Sequence, residues 1–199
     1  MKNIHLIVVG TASLLLLSGC STKQPEIAKA QTDCVVQGED APTWVCGNDQ
    51  KIADNMYYGV GSASMSKIGY GYTSREANAD ARSVLAQRIE TEIKDKIEHF
   101  SRSTGVASNE IADKVSTQVS KQVAKVSLTD SKQIRSWEHP KNGSLFVMLS
   151  VEKSNVNRAA RQGVLSSFKN NDAQWQQLQS KEALEGLDKE FTVIDPKLI

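Results

Sequence analysis

The sequence predicts an α+β fold: a small antiparallel sheet with a long helical hairpin and C-terminal helices packed on one face. Three observations predict it. Leu145, Val147, Leu149 and Val151 alternate with Phe146, Met148, Ser150 and Glu152, which is the period of a strand. Ala77, Ala81, Leu85, Ile89, Ile93 and Ile97 recur at every fourth residue, the pattern of a helix of about 27 residues with one apolar stripe. The elements follow in the order strand, helix, helix, strand, strand, helix, helix, so that hairpin strands and helices each fall into groups.

The chain starts with the short, positively charged Met1-Lys2-Asn3. Residues 4–17 are then almost wholly apolar or small, about 14 residues where a membrane-spanning helix needs roughly 20. That layout is a secretory h-region. Leu17-Ser18-Gly19-Cys20 stands where a small-x-small cleavage site belongs, and it resembles the bacterial lipobox. The resemblance implies a diacylglyceryl group on the Cys20 sulfur, cleavage before Cys20 and acylation of the new amino group. Each buried CH₂ of such chains contributes about 0.8 kcal/mol, so two or three chains make a lasting anchor. In such lipoproteins an aspartate after the cysteine often signals inner-membrane retention. Ser21 therefore implies transfer to the outer membrane.

Removal of residues 1–19 takes away only Lys2 among the charges and leaves 23 Lys+Arg against 23 Asp+Glu. That balance gives nothing to hold a polyanion, so nucleic acid is not an expected partner, and it argues against a polybasic second anchor. Residues 20–33 are polar, contain Pro25 and read as a lipidated tether. Cys34 and Cys46 are an even pair in an exported chain, which favours a disulfide closing a loop of about a dozen residues, worth roughly 3 kcal/mol. A metal or redox pair is the alternative. Zinc normally takes four ligands, the histidines are far away in sequence, and there is no Cys-x-x-Cys.

Residues 34–168 are expected to form the α+β domain, and residues 169–199 a helical extension and tail. Within the domain, residues 34–55 read as irregular and pinned by the cysteines. Residues 56–63, Met-Tyr-Tyr-Gly-Val-Gly-Ser-Ala, form the first strand, with glycines that suggest a bulge or the close approach of a helix. Gly69-Tyr70-Gly71-Tyr72 reads as a short mobile loop whose tyrosines either meet a partner or pack on the domain. Thr73-Ser74-Arg75-Glu76 is a capping box for the long helix, and Gly105 ends it. Ser108 precedes a second helix with Ile111, Val115, Val119 and Val123 expected inward. In residues 127–139 the parity changes between Ile134 and Trp137, which predicts a bulge. Pro140-Lys141-Asn142-Gly143 is a hairpin turn leading to the strand of Leu145. Residues 154–168 and 172–190 read as helices, with Val156, Ala160, Val164, Trp175, Leu178 and Leu187 inward.

Tyr57-Tyr58-Gly59-Val60-Gly61-Ser62-Ala63, the alanines and Arg82, Leu85 and Ala86 of the first helix, and Leu145 to Val151 together resemble the LPP-twenty lipoprotein family of small bacterial envelope lipoproteins. The similarity covers roughly residues 44–168. It implies an envelope protein, and some members serve flagellar structures at the outer membrane. The Cys34/Cys46 pair and the helices after residue 168 depart from the pattern.

Chemistry-bearing motifs are sparse. His99 and His139 are the only histidines after residue 19, and each reads as solvent-exposed. Neither a Gly-x-Ser-x-Gly elbow nor a His-Glu-x-x-His pair occurs. Trp137 and Trp175 read as core residues rather than sugar platforms. The expectation is a protein that is not an enzyme, with no catalytic, cofactor or metal residues. It is a binding or assembly module, lipid-anchored at Cys20 to the outer membrane and facing the periplasm. Its partners would be the membrane and an envelope protein or a second copy. The sheet face without helices, carrying Phe146 and Met148, is the expected partner surface, and an unpaired edge could accept another strand. A flagellum-associated ring subunit and a cell-wall-acting enzyme are the alternatives.

Overall fold

The computed structural model describes residues 34–169 and 172–192. The expected signal, the lipidation site Cys20, the tether and most of the tail lie outside the described residues. The described chain opens with a two-stranded hairpin, β1 (Val35–Val36) and β2 (Glu39–Asp40), followed by a 3-10 turn at Thr43–Cys46 and the short α1 (Gln50–Ala53). β3 (Met56–Ala63) leads to α2 (Tyr70–Thr104) and α3 (Asn109–Ser127). β4 (Lys132–Glu138) and β5 (Leu145–Glu152) form a hairpin, and α4 (Lys153–Lys169), α5 (Asp172–Leu178) and α6 (Lys181–Glu190) close the chain. The main sheet is antiparallel with order β3-β5-β4, so β5 is central. This is an α+β fold.

Small residues bring α2 onto the sheet. On β3, Gly59 pairs with Leu149 and Gly61 with Val147, and both glycines face α2. A Cβ at Gly61 would meet the Ala81 nitrogen at 2.0 Å and the Ala77 carbonyl oxygen at 2.6 Å. One at Gly59 would meet the Ala81 oxygen and the Leu85 nitrogen at 2.6 Å. The glycines thus serve the close approach of a helix, and no bulge interrupts the β3–β5 pairing. β4 does carry a bulge, but it falls between Gln133 and Arg135, at Ile134 itself and just ahead of the Ile134–Trp137 interval in which the parity change placed it.

All six residues of the α2 stripe are fully buried. A four-residue step advances about 40° beyond a full turn, so such a stripe winds around the helix rather than holding one face. It stays covered because its partners change: β3 and β5, then α3, α4 and α6. Gly105, with φ 66°, ends α2 in the left-handed conformation.

The helix runs longer than expected at its start. It begins at Tyr70, so Gly69-Tyr70-Gly71-Tyr72 is not wholly loop, and Thr73 is inside the helix rather than at its cap. Thr73 is fully buried, and its Oγ1 accepts from the Ser66 amide at 2.9 Å, so it braces the preceding loop. In α3, Ala112, Ser116, Val119, Ser120 and Val123 are buried, while Ile111 and Val115 are only partly buried at the edge of the core. The close α2–α3 contact selects small residues. The Ser116 hydroxyl is satisfied by donating to the Asp113 carbonyl at 2.9 Å.

The C-terminal helices complete the same core. Val156, Ala160, Val164 and Phe168 of α4 join Leu178, Leu187 and Phe191 in one buried cluster with α2 and β5. Arg161 Nε on α4 donates to Asp188 Oδ1 on α6 at 2.6 Å.

Gly61→Ala is expected to destabilise the fold by at least about 1–3 kcal/mol, because the new methyl meets backbone that cannot move aside. Gly71→Ala, where a Cβ would meet nothing within 4 Å, is expected to be neutral or to stabilise by up to about 1 kcal/mol. Denaturant midpoints of the two variants check the contrast.

Candidate interaction surface

The second sheet face is formed by the alternate side chains of the same strands: Tyr58 and Val60 of β3, Phe146 and Met148 of β5, and Trp137 of β4. This face was expected to be open. It is covered by the chain's own residues 44–53. Trp44, Tyr58 and Met148 form a second buried cluster, with Val45, Ile52, Ala53 and Phe146 packed around it. Met148 is wholly inaccessible and Phe146 only partly exposed. The expectation of a partner surface at Phe146 and Met148 is therefore corrected: alternation told which side chains share the face, but not that Trp44 lies over it.

Polar contacts fasten this cover. Cys34 and Cys46 form a disulfide with Cα atoms 5.7 Å apart. The Tyr58 hydroxyl donates to the Gly47 carbonyl at 2.5 Å, and Arg135 Nη1 donates to Asp49 Oδ2 at 2.5 Å. Asp49 also caps α1 through the Ile52 amide.

His139 is a further correction, since it is buried. Its Nε2 lies 3.1 Å from the Val36 carbonyl, and its Nδ1 accepts from the amides of Lys141 at 3.2 Å and Asn142 at 3.4 Å. A carbonyl can only accept and an amide can only donate, so these partners select the tautomer with its proton on Nε2. Asn142 Nδ2 donates to Gln37 Oε1, and Lys141 pairs with Glu39. The β4–β5 turn thereby grips the β1–β2 hairpin. His99 is exposed, as expected, and its Nδ1 lies 2.9 Å from Glu190 Oε2.

The two sheet edges differ. Along β3, Asp80 Oδ2 accepts from the Ser62 amide at 2.8 Å. Arg88 Nη1 donates to the Tyr58 carbonyl at 3.3 Å, with its guanidinium 4.5 Å from the Tyr58 ring centroid. Side chains of α2 therefore occupy backbone groups that a further strand would use. β4 has six exposed residues out of seven and, among the described residues, pairs with no strand beyond β5.

Ionisable groups in the core are few. Burial pushes the Tyr57 hydroxyl well above its ordinary value of 10.0; the Glu92 charge adds to the rise and Arg88 opposes it. On the surface, Lys94 is raised by its hydrogen bond to Asp113 on α3, then by that residue's charge. An open groove of about 670 Å³ runs between α3 and α4, lined by Ile111, Val115 and Phe168 and by Gln118 and Gln162. Among the described residues no cluster of three His, Cys, Asp or Glu side chains could hold a metal ion. No described helix is long and apolar enough to cross a membrane.

A family model described as LPP20 lipoprotein matches residues 42–152, more than half of the chain. The match begins in the segment that covers the sheet and ends at the last residue of β5. No curated protein matches the chain.

Replacing both cysteines by serine is expected to cost about 3 kcal/mol and to loosen the cover selectively. Amide hydrogen exchange should quicken first and most over residues 34–55, with the α2 amides remaining the more protected set. Tyr57 is neutral in the fold and ionises near 10.0 when unfolded. Its contribution is complete below that pH and lost as pH rises beyond it. Tyr57→Phe should flatten the alkaline fall in stability measured by denaturant midpoints.

Proposed function

The chain belongs to the LPP20 lipoprotein family, and from that membership of a lipid-anchored envelope group we propose a non-enzymatic assembly module held at the outer membrane by acylated Cys20, facing the periplasm. The observation that carries this reading is Leu17-Ser18-Gly19-Cys20 behind a short apolar run with a basic start. Ser21 supports the outer membrane as destination. The mechanism is confinement: acyl chains restrict the domain to a surface and raise the effective concentration of whatever it meets there.

The architecture supports assembly more than chemistry. Both faces of the main sheet are filled from within the chain, one by helices and one by the Trp44 segment. The β4 edge is the strand edge left for a second copy or an envelope protein, since Asp80 and Arg88 occupy that of β3. Such strand addition joins partners through main-chain hydrogen bonds.

Cys20→Ala is expected to move the protein out of the outer-membrane fraction of a density gradient. Crosslinking in intact cells should then lose the partners captured by the wild type. Mass spectrometry of the native protein showing a free thiol at Cys20, with the leader retained, would overturn the reading.

A further inference from the structure

We propose that residues 65–72, the end of the β3–α2 connection and the first turn of α2, form a second membrane contact that lies in the headgroup region of the bilayer holding the acyl chains of Cys20. The proposal rests on the lipid-anchor reading and adds to it a defined orientation of the domain.

Four of the eight large hydrophobic residues exposed among the described residues fall in this one segment: Met65, Ile68, Tyr70 and Tyr72. Ile68 is the most exposed of all, at 77%. Single exposed apolar residues are ordinary, whereas a cluster marks a contact surface. The mixture is that of an interfacial element. An aliphatic tip is flanked by tyrosines, whose rings suit the headgroup layer, and by Lys67 and Arg75, with no acidic residue from Ser62 to Arg75. Arg75 lies 6.0 Å from the Tyr72 ring centroid.

The segment is also preorganised. Ser66 donates its amide to buried Thr73 Oγ1, and its own hydroxyl and carbonyl accept from the amides of Ile68 and Gly69. These bonds satisfy the backbone locally and leave the Ile68 side chain outward.

Position in the fold favours lipid as the occupant. Met65 packs against the β4–β5 turn, where a Cβ at Gly143 would meet its methyl at 3.2 Å. The same turn grips the β1–β2 hairpin through His139 and Asn142, and that hairpin begins beside Cys34. Val35, another exposed apolar residue, belongs to it. The point where the chain leads back toward Cys20 and the apolar segment therefore share one end of the molecule. Fourteen residue steps separate Cys34 from Cys20, which reach about 50 Å at full extension. A tether of that length lets this end reach the surface in which the acyl chains sit, and the apolar segment beside it then decides which face of the domain meets the lipid.

The test uses the full acylated chain in vesicles of phosphatidylethanolamine with a minority of phosphatidylglycerol. An environment-sensitive fluorophore is placed at Ile68→Cys, and in a separate sample at Ser108→Cys beyond the far end of α2. Flotation with the vesicles reports the anchor. A blue shift at position 68 and its quenching by nitroxide-labelled lipid, with position 108 remaining in water, is the result expected. Ile68→Asp in a chain labelled at Ser64→Cys should return that probe to water. A chain that floats while position 68 reports water overturns this inference alone; one that does not float overturns the anchor reading and this inference with it. A position 68 probe exposed on vesicles but shielded in intact cells would assign the segment to a protein partner and likewise overturn it.

Discussion

The contact on which the rest of the structure depends is the meeting of two backbones. Gly59 and Gly61 on β3 leave no side chain between the strand and the Ala77–Leu85 stretch of α2. A helix seated this closely brings its whole length into register with the molecule. Ala77 and Ala81 lie over the strand, Leu85 and Ile89 continue the core, and Ile93 and Ile97 extend into it among the other helices. A long helix whose apolar residues wind around its axis gains from being enclosed by several partners in succession, and α2 provides the common surface on which the sheet, α3, α4 and α6 assemble.

Local patterns were legible because they depend on local geometry. The alternation along β5 and the glycine after Thr104 follow from strand parity and helix termination, and each is where the residues place it, while the β4 bulge was legible in kind and lies just ahead of its expected interval. The Cys34–Cys46 bond followed from an even count in an exported chain. What escaped reading was the identity of neighbours. Ser116 and Ser120 look like solvent-facing residues, yet a tight helix contact prefers small side chains, and their hydroxyls return to carbonyls of their own helix. His139 sits beside a polar turn and is buried only because a hairpin about a hundred residues earlier folds over it. Phe146 and Met148 were correctly assigned to one sheet face, but nothing near them in sequence announces Trp44.

The span matched by the family model and the span that makes the core are different. The LPP20 match stops at Glu152. Val164, Phe168, Leu178, Leu187 and Phe191, all beyond it, are as buried as the isoleucines of α2. The strand–helix contact and the cover over the second sheet face lie within the matched region. The last three helices close over the later turns of α2 and share one hydrophobic cluster with β3, β5, α2 and α3, so they belong to the packing of the protein rather than to an appended arm.

The unequal treatment of the two sheet edges limits how such molecules can be strung together. A sheet with two open borders can grow without end, which is the geometry of a fibre. Here Asp80 and Arg88 act as stoppers on one border, so only the other is open to a further strand. Were two copies to meet edge to edge, each would spend its β4 border on the other and leave no free border for a third.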